Sequence, residues 1–333
     1  MDFFNYKNNI TLRSPIMKRS ILSTAIITSI FTTGIAHADL TLDADLETDT
    51  YATSTEHTST AYDQNGRVAV NVKGRHTSNN YFVAAKGTLL LTMDGEAKVD
   101  DAYIQLGNNV WDVQLGRFEA INLFPLGKDT LVNHAGGVSV YGANKVRGRA
   151  GDDGGQIALH FNASENLKFE VNTIFGDDDS LGDNATAVAG IRPSVTFITD
   201  AVTISAGYES LNYDLTTGGD VSLSGYGITA GFNIAAANIN VSAAHMKDDN
   251  TKQKVTSYAA NVTYGNFGAG LVASEEDNAG GMNPEVMTAY AAYTVPLFDI
   301  KNASVTFAGS YSTADNVADD EAIGARMRLN YNF

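Results

Sequence analysis

The chain ends on an unbroken alternation. From Glu321 to Phe333 it reads E-A-I-G-A-R-M-R-L-N-Y-N-F. Ile323, Ala325, Met327, Leu329, Tyr331 and Phe333 fall in one register; Ala322, Gly324, Arg326, Arg328, Asn330 and Asn332 fall in the other. Period-two alternation marks a strand with two unlike faces. One face is apolar and ends in two aromatics; the other carries two arginines and two asparagines. The polar face must meet water. The apolar face has two solutions, a protein core or the hydrocarbon of a membrane.

The other end of the chain bears on that choice. Lys18-Arg19 precede a mostly apolar run over residues 21–35, followed by Ala36-His37-Ala38. A basic start, a short apolar run and a small-x-small site describe a secretory signal, so residues 17–38 are expected to be a signal peptide and Asp39 the mature start. Residues 1–16 lack this pattern and read as an upstream extension preceding the true start at Met17. Beyond Ala38 no apolar run is long enough for a transmembrane helix. With no cysteine in the chain, a disulfide framework, a thiolate nucleophile and a thiolate metal site are excluded. The formal charge of −16 argues against nucleic acid as a partner. Mean hydropathy close to neutral fits strands whose wet and dry faces cancel.

Counting strands from both ends gives a consistent up-and-down topology. From the C-terminus, strands are expected near residues 322–333, 303–312, 286–297, 267–274, 255–264, 239–247, 224–234, 202–212, 187–198, 168–175 and 156–162. From the N-terminus they fall near residues 40–47, 67–75, 81–93, 99–107 and 111–118, with a polar loop over residues 48–66. Short connections, such as Asn108-Asn109 and Gly265-Asn266, alternate with longer acidic ones. The sum is about sixteen strands, an even number with directions that agree from both ends. No composition shift marks a second domain, so residues 39–333 form one barrel. A barrel of that size leaves an aqueous channel.

One connection is anomalous. A long segment separates Phe118 from Gln156, after the fifth strand, and loops of that length are usually functional. With the strand count, this position makes the chain resemble a sixteen-stranded Gram-negative outer-membrane porin over residues 39–333. The resemblance implies an all-β transmembrane antiparallel barrel whose loop after strand 5 folds into the lumen and constricts it. Porin loops often carry P-E-F-G-G; this chain has Gly116-Arg117-Phe118-Glu119, then Leu123-Phe124-Pro125-Leu126-Gly127-Lys128-Asp129. That stretch is similar to the sugar porins of the raffinose-glycoporin type. The family further implies a homotrimer in outer-membrane lipid and lipopolysaccharide, passing small hydrophilic solutes. Phe333 resembles the terminal aromatic through which the barrel-assembly machinery recognises its clients.

A selective constriction needs opposed charges. Arg67, Lys73 and Arg75 alternate with Val68, Val70 and Val72, and Arg326 and Arg328 share the polar face of the last strand. Closure brings these strands together, so the five cations are expected on one wall, with Arg192 a weaker addition. Glu119 and Asp129 on the loop are expected to face them across the opening, beside Arg117; salt bridges pinning the loop to the wall are the alternative. Lys145, Arg147 and Arg149 share a face at strand spacing and are expected to line the pore or to sit on a solvated hairpin before Asp152-Asp153-Gly154-Gly155. Phe118, Phe124, Tyr141 and Tyr103 are candidates for stacking on sugar rings, or for anchors that pack the loop.

Acidic runs such as Asp177-Asp178-Asp179 and Glu275-Glu276-Asp277 read as solvated loops. None has calcium-loop spacing, and no metal or cofactor is assigned. A barrel enzyme and an adhesin or structural barrel are the other function classes. No local motif joins His57, His76, His134, His160 or His245 to a serine and an acid, and no appended soluble domain is visible.

Overall fold

The computed structural model describes residues 39–149, 153–177 and 185–333. The expected upstream extension and signal peptide, the acidic pair Asp178-Asp179 and the start of the 152–155 turn lie outside them.

The strands in chain order are β1 (Asp39–Thr55), β2 (Thr58–Ser78), β3 (Tyr81–Thr92), β4 (Ala97–Asn108), β5 (Trp111–Arg117), β6 (Asp153–Asn162), β7 (Leu167–Asp177) and β8 (Ala185–Ile198). They continue as β9 (Val202–Leu215), β10 (Asp220–Ile234), β11 (Ala237–Asp248), β12 (Lys254–Tyr264), β13 (Phe267–Asp277), β14 (Glu285–Pro296), β15 (Ala303–Asp315) and β16 (Glu321–Asn332). Each pairs antiparallel with the next, and β1 pairs with β16 to close a sixteen-stranded barrel. Closure leaves no free edge, the condition for crossing hydrocarbon with strands. Phe333 completes the seam: its N–H and C=O exchange hydrogen bonds with Ala44 at 2.9 and 2.8 Å, and its ring stacks on Tyr331.

Burial is inverted relative to a soluble sheet. On β14, Met287, Ala289, Ala291 and Tyr293 are exposed, whereas Val286, Thr288, Tyr290 and Ala292 face inward and are buried. The outward face around the barrel carries large apolar side chains such as Ile104, Phe197, Tyr226, Leu271, Phe307 and Met327. This surface is uncostly only against lipid. Inside, β8 to β15 carry small hydroxyl side chains that bond across strands: Thr196 with Ser205, Ser242 with Thr229, Ser257 with Ser274 and Thr288 with Ser312, all at 2.8–2.9 Å.

The expected polar loop over residues 48–66 is instead strand. Thr48 opposes Gly66 and the pairing runs on to Thr55 and Thr58. Both faces there are polar, so hydrophobic alternation is lost although the ladder is not; Tyr51 donates to Asp63 at 2.8 Å and Gln64 to Thr50 at 3.1 Å.

Residues 118–149 fold inward and lie on the lumen face of β7 to β16. Three apolar clusters hold them there. Leu123, Phe124, Tyr141 and Ala143 pack on Met246, Val255, Val272 and Tyr290. Val146 packs among Ile174, Val188 and Leu211, and Ala135 and Val138 meet Val286, Ala314 and Ala322. Each fully buried side chain of this kind contributes about 1.5–3 kcal/mol. The seat is cut from glycines: a Cβ on Gly207 would strike Leu123, one on Gly225 Tyr141, one on Gly227 Ala143, and one on Gly324 Leu131.

Candidate functional site

The base of the loop is tied by backbone and by one amide. Glu119 and Gly148 form a bridge, and Ala120 N–H donates to Arg147 O at 2.8 Å. Gln156 Oε1 accepts from Phe118 N–H at 3.0 Å and from Arg149 N–H at 2.7 Å, joining both arms. Gly116 at φ 131 and Gly148 at φ 135 supply backbone that side-chain-bearing residues rarely adopt.

Deeper in, Arg192 of β8 holds the two arms together. It is fully buried. Its Nε donates to Ala143 O at 3.1 Å, and Nη2 donates to Ile121 O at 2.8 Å and Asn144 Oδ1 at 3.2 Å. Glu209 of β9 lies 3.5 Å from Nε. The Glu209 carboxylate accepts from the N–H groups of Lys145 and Val146 at 3.0 and 3.1 Å and from the Tyr141 hydroxyl. Burial, with Glu209 alongside, holds the Tyr141 phenol above its ordinary range, so it remains a donor. The distal part of the loop rests on hydroxyls. Ser257 accepts from Tyr141 N–H, Ser312 from Ala135 N–H and Ser310 from Asn133 N–H, and His134 pairs with Thr288 at 2.8 Å.

The strands that bear the five expected cations flank β1, and β1 sets carboxylates among them. The lumen face of β1 carries Asp43, Asp45, Glu47 and Asp49 between the two strands that bear the cations. Arg67 pairs with Glu47 at 3.1 Å and Lys73 with Asp43 at 2.9 Å. Arg328 grips Asp49 through two bonds of 2.6 and 2.7 Å. Arg75 lies over the Phe82 ring at 3.7 Å. Five cations thus stand among four carboxylates, with Asp129 of the loop a fifth.

Asp129 does not face the wall across a gap; it is clasped to it, 2.6 Å from Arg326 and 3.3 Å from Arg328. Glu119 is likewise engaged, by Arg147 at 2.9 Å and Arg149 at 3.3 Å. The salt-bridge alternative therefore describes both acids. The reason is reach: an inward-lying loop places its carboxylates within a side-chain length of the arginines.

Lys145, Arg147 and Arg149 do not form a strand face. This segment is irregular, with Arg149 at φ 61, and the three side chains diverge. Arg147 and Arg149 turn to Glu119, and Arg149 also meets Asp100 at 3.1 Å and Asp101 at 3.4 Å, while Lys145 is exposed. Asp101 also binds Lys86. Arg117 is half-buried, donating to Asp100 O and Arg149 O at 3.0 and 3.1 Å.

Three of the four sugar-stacking candidates offer no ring face to a solute. Phe118, Phe124 and Tyr141 are 2, 6 and 4 % exposed, because each is consumed in seating the loop. Tyr103 remains partly exposed, edge-on to Phe118 with centroids 6.0 Å apart. Sequence reasoning missed Lys86, Asp100, Asp101 and the β1 carboxylates at the opening, and Gln156, Glu209 and Asn172, whose amide donates to Val146 O, beneath the loop. The β1 set was available: Asp43, Asp45 and Glu47 lie in the wet register of a strand that closure places between the two cationic strands.

A family model described as porin-like glycoporin RafY matches residues 36–333. Among solved structures, an anion-selective porin from Comamonas acidovorans is similar at a TM-score of 0.70 and 13% identity, over 89% of this chain and 100% of that one. OmpT, an outer membrane protein of Vibrio cholerae in a trimer form, gives 0.67 at 14% identity, over 90% and 100%. OccK3 (OpdO) of Pseudomonas aeruginosa gives 0.55 at 10%, over 89% and 96%. At these identities the likeness is one of fold. No curated protein matches the chain by sequence.

Proposed function

The chain belongs to the porin-like glycoporin RafY family, and from that we propose that its pore favours neutral polyhydroxylated solutes, oligosaccharides in particular. It is an outer-membrane porin, a barrel with a water-filled lumen through which small hydrophilic solutes diffuse passively. The observation that carries the refinement is the charge balance at the opening. Arg67, Lys73, Arg326 and Arg328 each have a carboxylate partner within 3.1 Å. A wall of matched pairs attracts neither ion sign at a distance, yet presents dense donors and acceptors to a hydroxylated solute at contact. Arg67, Lys73, Arg75, Lys86, Arg147 and Arg149, with Glu119 and Asp129, are the residues assigned to the constriction, and Tyr103 is the aromatic assigned to a sugar ring.

Planar-bilayer recording tests this reading. Purified protein should form channels, and raffinose should reduce their current reversibly. Channels whose current no sugar perturbs would leave a general porin and remove the sugar preference assigned here.

We read the barrel as non-catalytic. His134 and His245 bond to threonines and His160 to carboxylates, an arrangement that supports positioning rather than a serine relay. Its partners are proposed to be two further copies of itself, outer-membrane lipid and lipopolysaccharide, and the barrel-assembly machinery at Phe333. Processing is proposed at Asp39, which N-terminal sequencing of outer-membrane material would test.

A further inference from the structure

On the periplasmic side of the loop, the lumen wall of β4 to β8 is hollowed into a cavity of about 400 Å³. Its lining follows the strand ladder. Asp112, His160, Glu170 and Ser194 are direct cross-strand neighbours on β5, β6, β7 and β8. Two residues nearer the strand ends, Lys168 opposes Thr196. Ile121 from the loop and Ile198 supply the apolar surface.

The first row is fixed in place. Asp112 Oδ1 accepts from Gln105 Nε2 at 2.8 Å and lies 2.6 Å from His160 Nδ1. His160 Nε2 is 3.4 Å from Glu170 Oε2, while Glu170 Oε1 accepts from the Ile121 N–H at 3.3 Å. The Lys168 ammonium and the Ser194 hydroxyl, by contrast, make no hydrogen bond to another described residue, and both residues line the hollow. Groups that no protein partner satisfies are free to exchange water for the hydroxyls of a ligand.

Chemistry narrows the ligand. Two carboxylates stand with two basic side chains, so the hollow suits neither a cation nor an anion. Rigid donors and acceptors beside two isoleucines suit a ring with hydroxyls at its edge and C–H groups on its faces. The volume falls in the range of small-molecule sites, about 300–1,000 Å³. We propose that this hollow is a periplasmic-side subsite for a neutral sugar ring, holding an oligosaccharide that has cleared the constriction. The proposal rests on the glycoporin reading above.

The test uses the intact protein in planar bilayers, with raffinose as probe and affinity taken from the concentration dependence of current block. Lys168→Ala with Ser194→Ala removes the two uncommitted groups. Affinity is expected to fall about tenfold, the effect of losing two modest hydrogen bonds. Should the double variant fail to assemble, Lys168→Ala alone decides, with a fall of about threefold expected. Unchanged affinity in the variant overturns the subsite and leaves the sugar reading standing. Absence of any raffinose block in the unsubstituted channel overturns that reading, and this subsite with it.

Discussion

Replacing Arg192 by methionine isolates the loop from the barrel. The guanidinium donates three hydrogen bonds to the loop and is the countercharge of Glu209. Hydrogen bonds from a charged donor are worth about 1.5–3 kcal/mol each, but breaking a buried pair by removing one partner costs about 3–5 kcal/mol in total. Glu209 would keep its donors from Lys145, Val146 and Tyr141, so the lower part of that range applies. A local opening made about 3 kcal/mol easier is populated more than about a hundredfold more often. The barrel ladder does not depend on Arg192, so heat-modifiable gel migration should be retained. Cleavage within residues 119–149 by added protease should accelerate about a hundredfold, and single-channel conductance should rise or become noisy. Adding Glu209→Gln removes the stranded charge and should recover part of the loss, a coupling measurable in a double-mutant cycle. Parental conductance and parental protease resistance in Arg192→Met would refute the reasoning, since the loop would then be held by apolar packing alone.

Other expectations follow from the same geometry. Met327 faces outward on β16, so Met327→Arg should destabilise the barrel by about 2–4 kcal/mol, read from the folded fraction on gels. Arg326→Met should leave the barrel folded but take from Asp129 its shortest contact, leaving only Arg328 at 3.3 Å, and normal loop protection in that variant would contradict the clasp. Asp129→Asn should move the reversal potential in a salt gradient toward anions, and Arg67→Gln with Lys73→Gln toward cations; shifts of the same sign would sink the balanced wall. Burial lowers the pKa of His134 below its ordinary 6.5, so the docked loop favours the neutral ring. That contribution is complete above about pH 6.5 and is lost as pH falls through the lower folded value. Protease sensitivity of the loop should therefore rise on acidification, and His134→Gln should flatten the response.

The strands were legible because lipid imposes alternation locally. Met327 and Arg328 announce their faces with no knowledge of the rest of the chain. The loop was legible only by counting, since its position after the fifth strand, and not its residues, marks it. The β1–β2 hairpin was lost where both faces turned polar and alternation ceased to report pairing. The charge partners were hidden for another reason. Asp129 and Arg326 are separated by 197 residues, and alternation says only that each points inward. It does not say whether water or a loop covers the position, so Glu209 and Asn172 looked like any other lumen residues, and Arg192 like one more wall cation. The glycines under the loop read as weak strand formers, when their lack of a side chain is a seat for Leu123, Tyr141 and Ala143.

The seat of the inward loop bears on the order of assembly. Beyond its base, the loop touches surfaces that follow it in the chain: Glu170 first, then Arg192, Glu209, Ser257, Thr288, Ser312 and Arg326. A chain delivered from its N-terminus presents the loop before any of that mould exists, and such distant contacts carry a loop-closure cost. The seat is complete only when β16 has met β1. The loop is therefore expected to reach its full set of contacts no earlier than the seam closes, with the constriction completed in the closed barrel.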